Sequence, residues 1–527
     1  MISCSFVQKL IMNKFFLFFL LIPFFGNAQI LFPDSEFLEY YRVLEMKNEK
    51  SQKRLGVFPS IVGHYETDAI EWNVWSEYYN PNKRGNRRVS FESVRMTNFY
   101  NSNYARGYND GALWKGKGLT SSFQAGVTGK IGKIEFSFAP IVYFSQNSDF
   151  GLAESNSNTH MYNYRFNRTI DFVQRYGEES FVQFNLGQTG LYLVHKGFSI
   201  GVSTQNITWG PAQRSPMLLS NNAAGIPHVE LGTHTPLKTR IGTLEYKLYW
   251  GQLNESNYYD DNEKNNSRFW TGFAFAYNPV FLPGLTLGFN RVFYKKGEEF
   301  TNSDLLISFW RFNNRNDTPN RNDEFDQMGS ATIRWLFEEV GFEAYLEFGK
   351  NDFGGKLILS TEPEHARGYT LGFSKYLDIK ESGILKLTYE HTTIDKAKSG
   401  LYRGHNSWYA HNVVEQGYTM DGQILGAGIG PGSNTDYFDG QYFYKKGRIQ
   451  LSAQRIRFND DYFITNITDK YRHDHEWTVE VGYSRFIHNI MVGMRAGLSF
   501  RENMYYELEN SKKNVSIGFD ISRRIKI

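Results

Sequence analysis

Gly197-Phe198-Ser199-Ile200-Gly201 has the spacing of a nucleophile elbow, the sharp strand-to-helix turn that exposes a serine for acyl transfer. Phe198, Ile200 and Val202 carry an every-second-residue apolar rhythm straight through the motif, so Ser199 is expected on the polar face of a strand instead. Gly426-Ala427-Gly428-Ile429-Gly430-Pro431-Gly432 invites a phosphate-loop reading, but no Gly-Lys-Ser/Thr follows and Pro431 removes an N–H that such a loop would use. In His473-Asp474-His475-Glu476 two imidazoles share a strand face and could chelate a metal; with no third ligand placed, a solvated strand end is the expectation. Glu245, Glu343, Glu347, Glu390 and Glu480 could form acid/base pairs, although filling a polar interior opposite Lys and Arg suits them better. Neither enzymatic turnover nor a cofactor or metal is expected.

Two stretches point to a different chemistry. WGPAQRSPMLLSNNAAGIPHVE (209–230) and GYTMDGQILGAGIGPGSN (417–434) mix aromatic and small apolar residues with amides, Pro and Gly. Aromatic faces can stack on sugar rings while Asn, Gln, Asp and Arg bond hydroxyls. Such segments can equally well plug a pore, and composition does not separate a plug from a binding surface.

The scaffold that must position them has a period of two. In GTLEYKLYWG (242–251) Leu244, Tyr246, Leu248 and Trp250 alternate with Thr243, Glu245, Lys247 and Tyr249, and WTVEVGYS (477–484) and VSIGFDISRRIKI (515–527) behave alike. A soluble sandwich would show the same alternation. Export, strands that run to the last residue, and aromatic residues crowding the segment ends, as at Trp250, Trp335 and Tyr442-Phe443-Tyr444, together favour an all-β transmembrane antiparallel barrel. Candidate strands lie near residues 88, 121, 133, 181, 198, 241, 268, 285, 304, 329, 342, 369, 384, 437, 448, 476, 491 and 514, eighteen in all, with inserted loops at 208–240 and 395–436. An even count puts both termini on the periplasmic side and the long connections outside. One connection, 254–267, is long yet falls on the inner side in this count.

The N-terminus reads as an address. Lys14 precedes the apolar run FFLFFLLIPFF, too short to span a bilayer as a helix, and Gly26-Asn27-Ala28 offers a cleavage site. Residues 1–28 are therefore expected to be a signal peptide, with 1–11 an upstream extension, and the only cysteine, Cys4, would leave with it. Residues 29–85 are expected to form a periplasmic helical segment: Pro33-Asp34-Ser35-Glu36 starts a helix in which Phe37, Tyr41 and Leu44 share one side and Glu39, Arg42 and Glu45 the other. The barrel itself is expected over 86–527. A net charge of +3 with no basic block gives nucleic acid nothing to bind.

Trp209-Gly210-Pro211, followed by Leu218-Leu219-Ser220-Asn221-Asn222-Ala223 and Ile226-Pro227, resembles a signature of the Wzi-type capsule assembly family. Gly417-Tyr418-Thr419, Gly422-Gln423, Gly426-Ala427 and Ile429-Gly430-Pro431-Gly432-Ser433-Asn434 resemble a second block of that family, preceded by Trp408-Tyr409 and His411. Weaker echoes are Asn109-Asp110-Gly111 with Trp114, and Asp326-Gln327 leading to Arg334-Trp335. The resemblance implies an eighteen-stranded outer-membrane barrel with an obstructed interior, acting as a lectin in assembly or attachment of capsular or other surface polysaccharide. Its expected partners are that polysaccharide and outer-membrane lipid, and its expected state is a monomer. Trp209, Arg214, Asn221, Asn222, Trp408, Tyr409, His411, Asp421 and Gln423 are the expected stacking and hydrogen-bonding groups, some of which would only hold the inserts in place. The alternatives are a porin-like channel and, more remotely, a hydrolase using Ser199.

Overall fold

The computed structural model describes residues 36–48, 55–59, 71–79, 89–91, 94–153, 160–164, 166, 169–260, 262, 265–310, 325–351, 362–379, 383–401 and 404–523. The expected signal peptide lies outside these residues.

Alternation of apolar and polar residues produces one closed antiparallel barrel. Its strands are β1 (Val89–Phe91 with Val94–Asn101), β2 (Gly118–Gln124 with Val127–Ile131), β3 (Ile134–Phe138 with Ile141–Ser145), β4 (Phe181–Asn185 with Gly190–His195), β5 (Phe198–Ser203) and β6 (His228–Thr233 with Leu237–Lys238). Next come β7 (Gly242–Asn254), β8 (Ser267–Pro279), β9 (Leu285–Lys296), β10 (Asp326–Phe337), β11 (Phe342–Asn351) and β12 (Arg367–Ile379). The last are β13 (Gly383–Thr393), β14 (Asn434–Tyr444), β15 (Gly447–Arg457), β16 (His475–Ile487), β17 (Ile490–Glu502) and β18 (Lys512–Arg523). β18 closes on β1 with Ser516 opposite Asn101 and Arg523 opposite Val94. β3 is interrupted at Pro140, which has no N–H for the ladder. Tight connections gather at one end; β4 and β5 are joined by Lys196-Gly197 alone, both with positive φ (48° and 83°), the twist that a two-residue hairpin requires.

The described residues thus supply eighteen barrel strands, the expected number, but not the expected set. Residues 302–310 are helical, as Asn302–Leu306 and Ile307–Trp310, where a strand near 304 was expected. The cause is local: the Asp304 carboxylate accepts the N–H (2.8 Å) and hydroxyl (2.9 Å) of Thr301, which starts a helical turn. Conversely, His228–Thr233 is a barrel strand inside the stretch expected to be insert, pairing Val229 with Trp250. The two corrections cancel in number and restore the parity between them. Connection 255–266 now lies at the same end as the other long loops, and the misfit of 254–267 disappears.

On β16, Trp477, Val479, Val481 and Tyr483 point outward and are 42–53% exposed, whereas Glu476, Thr478 and Ser484 point inward and are buried. Ile449 and Leu451 on β15 and Val515 and Ile517 on β18 extend the same surface. An apolar exterior this extensive meets lipid rather than water.

Helix α1 (Glu36–Lys47) sits inside the short-turn mouth. Its sequence is amphipathic, yet both sides are used. Tyr40 stacks on Trp75 at 4.0 Å between ring centroids, and Trp75 meets Phe443 (5.6 Å) and Phe486 (5.2 Å) edge-on. On the charged side Glu39 pairs with Lys386 (2.7 Å), Glu45 with Arg334 (3.6 Å) and Glu36 with Arg448 (3.7 Å). The wall's inward cations, which a lumen would otherwise leave to water, hold the helix in place.

Candidate functional site

Beyond β5 the chain turns into the lumen. Ile207–Trp209 pairs antiparallel with Val57–Pro59, so the segment after α1 and the first insert form a short ribbon inside the barrel. Trp209 is fully buried, flanked by Tyr249 (5.6 Å) and Trp270 (6.1 Å). Its ring fits because the wall residue below it is Gly272, where a Cβ would come within 2.6 Å of Trp209 Cη2. The second insert lies against the first: Ser220 N–H donates to Leu425 O (2.8 Å), Asn222 Nδ2 to Ile424 O (3.0 Å), and Tyr409 OH donates to Met217 O and accepts from Ala427 N–H, both 2.9 Å. Trp408 occupies a second notch, over Gly349 and Gly368, whose Cβ positions would lie 2.7 and 2.8 Å from its ring.

The inserts are irregular, so their N–H groups lack a ladder and must find acceptors in a space with little water. Wall carboxylates supply them. Glu390 accepts from the backbone N–H of Gln213 (2.7 Å), Arg214 (3.0 Å) and Ser215 (2.7 Å), and from Tyr345 OH (2.7 Å). Glu347 accepts from Met217 N–H (3.1 Å), and Glu245 from Gly56 (2.9 Å) and Val57 (3.2 Å). Lys and Arg were the expected partners of these glutamates; that holds for Glu343, paired with Arg334 at 2.7 Å, while Glu245, Glu347 and Glu390 instead serve the plug's backbone.

Among the described residues, the two larger cavities beside loop 102–117 lie on either side of it. The outer one, of about 160 Å³, is lined by Tyr104, Tyr108, Trp114, Phe150, Tyr164, Phe172, Phe458 and Tyr505, with Gln174, Asn222 and Gln423 among its polar groups. Trp114, Phe150, Tyr164, Phe172 and Tyr505 are only partly buried, so ring surface faces the opening. Its cations are already engaged: Arg106 with Glu476 (2.8 Å), Lys115 with Asp110 (2.5 Å), and Arg501 with both oxygens of Asp474 (2.7 Å each). The inner cavity, of about 210 Å³, lies between the plug and α1 and is mostly polar, lined by Arg42, Arg214, Asn221, Asp439, Glu480, Arg495 and Asp520 among others.

The nine residues singled out in sequence divide accordingly. Asn222 and Gln423 line the outer basin; Arg214 and Asn221 line the inner cavity, with the Arg214 guanidinium between Tyr108 (5.4 Å) and Tyr437 (5.0 Å). The other five open onto neither. Trp209, Trp408 and Tyr409 are at most 1% exposed and offer no face to a sugar; their stacking partners are the plug and the wall. His411 Nδ1 accepts from Val414 N–H (3.0 Å) and closes a turn. Asp421 takes positive φ (50°) in the turn before Gly422, and burial pushes its carboxyl up to about 6. The basin aromatics were missed, although Tyr104, Tyr108 and Trp114 in a short polar loop, out of step with any two-residue rhythm, were a usable signal.

Ser199 is buried on β5 with Lys247 Nζ 3.4 Å from its hydroxyl, and no turn into a helix exposes it. The His473 ring stacks on Phe463 at 3.5 Å, and burial with nearby Arg457 pushes its pKa down to about 4. Among the described residues no group of three or more potential ligands comes together for a metal.

In comparison with solved structures, the chain is similar to Wzi of Escherichia coli, described as an outer membrane protein involved in group 1 capsule assembly and a carbohydrate-binding β-barrel; identity is 12% and the TM-score 0.66, covering 95% of this chain and all of that one. Weaker likenesses are to OccAB2 of Acinetobacter baumannii (11% identity, TM-score 0.41) and OpdQ of Pseudomonas aeruginosa (10%, 0.40), each covering 83% of this chain and 98% of the other. No curated protein sequence matches. The sequence profile of the capsule assembly protein Wzi family matches residues 80–514. With that match over most of its length, and with a lipid-facing barrel to agree with it, this chain is an outer-membrane member of the Wzi capsule assembly protein family.

Proposed function

We propose that the protein binds a capsular or other surface polysaccharide at the long-loop mouth of its barrel, in capsule assembly or attachment, and that it does so without chemical turnover. The observation that carries this reading is the outer basin, where partly exposed faces of Trp114, Tyr164, Phe172 and Tyr505 surround amides of Gln174 and Gln423. Rings beside fixed hydrogen-bonding groups suit sugars, whose faces are apolar and whose edges are hydroxyls. The basin's volume of about 160 Å³ is below the ~300–1,000 Å³ of pockets that engulf a drug-sized ligand. A polymer lying across the mouth with one unit dipping in fits that size. Because the basin's ion pairs are formed in advance, binding orders little further. The carbohydrate binding described for the Escherichia coli protein agrees with this assignment. A barrel that closes within one chain supports action as a monomer surrounded by lipid.

The test is to delete the gene and measure cell-bound against released polysaccharide. Retention should fall in the deletion strain and return with the parent gene. Trp114→Ala should weaken binding of the isolated polysaccharide by roughly 3–10-fold, the scale of one aromatic contact. Equal retention in deletion strain and parent removes the attachment reading.

A further inference from the structure

On the lipid side of β8, β9 and β10 the alternation places two cations where lipid is expected. Arg291 and Lys295 lie opposite Phe273 and Phe269 and share their outward face with Phe293. Charges on that face of a barrel are costly unless covered. They are covered: Arg291, Phe293 and Lys295 are at most 4% exposed, although they are outside the barrel.

Segment 297–310, which leaves the top of β9 and folds down over the exterior, covers Phe293 and Lys295 together with Phe325, while Arg291 donates to Gln327 Oε1 on β10 (2.9 Å) and lies over the Phe293 ring. Asp304 pairs with Lys295 at 3.0 Å, and Ser308 Oγ lies 3.0 Å from Thr271 Oγ1. Phe300 packs on Phe269 (4.6 Å), Phe309 on Phe273 (5.4 Å), and Trp250 donates its indole N–H to Leu305 O. Ile307 joins Phe293 and Phe325 in a small core separate from that of the lumen. Asp304 and Ser308 therefore point at the wall, while Glu298, Thr301, Asn302 and Ser303, at the start of the segment, are exposed. Its other side presents Phe300, Leu305, Leu306 and Phe309, 39–56% exposed.

We propose that segment 297–310 is a lipid-seated wing: an amphipathic piece held against the barrel wall that presents these four side chains to acyl chains of the outer leaflet. Its apolar face continues the established lipid surface, since Val229 and Leu231, about 40% exposed on β6, lie opposite Trp250 and Leu248 beside the wing. The wing widens the lipid contact on one side of the barrel only, and gives the barrel an orientation relative to its neighbours in the membrane. An amphipathic segment with its apolar face at the headgroup–acyl boundary is a known mode of surface anchoring.

The test uses the full chain in phosphatidylethanolamine–phosphatidylglycerol vesicles. In a Cys4→Ser background, which removes the only native cysteine, single cysteines at Leu306, Phe309 and, as a loop control, the exposed Asn466 carry an environment-sensitive fluorophore. The expected result is strong quenching at 306 and 309 by a shallow doxyl lipid, with at least threefold protection from aqueous iodide relative to 466, independent of protein density. Iodide quenching at 306 and 309 equal to that at 466, without doxyl quenching, overturns the proposal. So does protection from both quenchers that is lost when the protein is diluted in lipid, which would assign the face to a second copy of the chain. Because the label replaces one exposed side chain at a time, the barrel is left intact and either outcome can be read.

Discussion

The two ends of the lumen are closed by different physics. At the short-turn end a regular helix, α1, enters the barrel with most of its backbone bonds made internally, so it meets the wall through side chains: Glu39 with Lys386, Glu45 with Arg334, Tyr40 and Trp75 with Phe443. At the long-loop end an irregular insert enters with unmade N–H groups, so the wall meets it through carboxylates on backbone, Glu390 on residues 213–215 and Glu347 on Met217. The wall thus meets the helix with cations and the insert with carboxylates, a division decided by whether the chain that reaches it leaves N–H groups unmade. Charge pairing tolerates some displacement, whereas three N–H groups converging on one carboxylate fix position closely. The rigid end is also the end that carries the basin.

That contrast can be broken most directly by removing the plug. Purified protein in a planar bilayer should carry almost no steady current, and deletion of 207–227 should produce discrete porin-like openings. Steady current through the parent would mean that the inserts do not obstruct the lumen. The next largest effect is expected at Glu390. Glu390→Ala leaves the three backbone N–H groups and Tyr345 OH without their acceptor, and should cost about 3 kcal/mol or more. Glu39→Gln keeps an oxygen for the buried Lys386 ammonium and should cost less, about 1–2 kcal/mol. Thermal unfolding in detergent compares them; equal losses would erase the distinction between the ends.

The barrel was legible in sequence because a period of two is a local property: Val479 and Val481 alternate with Glu480 and Gly482 whatever surrounds them. Short apolar runs were less reliable. Residues 304–309, DLLISF, fit a strand or a buried helical turn equally well, and only the Thr301–Asp304 bonds decide. The inserts were recognisable as interruptions of the rhythm, but which of their rings remain open to solvent was not. Trp209 is hidden because Gly272 lies beneath it, and Trp408 because Gly349 and Gly368 do; each partner is distant in sequence and set by strand register. The resemblance singled out these inserts, which lie packed in the lumen, while the basin is lined largely from loop 102–117, which it marked only faintly.

Those glycine notches sharpen the comparison at a smaller scale. Gly272→Ala would bring a methyl within 2.6 Å of Trp209 and should cost about 1–3 kcal/mol, with Trp209 displaced. Gly440→Ala, where the nearest atom is Leu387 Cδ2 at 3.4 Å, should be close to neutral. Intrinsic tryptophan fluorescence reports the first change. A silent Gly272→Ala would mean that the plug rests loosely on its wall.

The smallest effect, and the one that separates the ends by sign, is the response to acid. Burial raises Asp421 to about 6 and Glu255, in the loop after β7, to about 7. The folded chain therefore takes up these protons at higher pH than the unfolded chain, whose groups titrate near 4, so stability at the long-loop end falls as pH rises from about 4.5 to about 7. At Glu39 the sign reverses: burial alone would raise its carboxyl, but Lys386 and Arg42 hold it down to about 2. Its contribution is present above about 4.5 and is lost as pH falls toward 2. Hydrogen exchange at the amides of 417–426, corrected for the intrinsic pH dependence, should accordingly be slower at pH 5 than at pH 8, while the amides of α1 change little over that range. Faster corrected exchange of 417–426 at pH 5 would show that its carboxylates are stabilised as anions, and the two ends would then be held by the same kind of electrostatics after all.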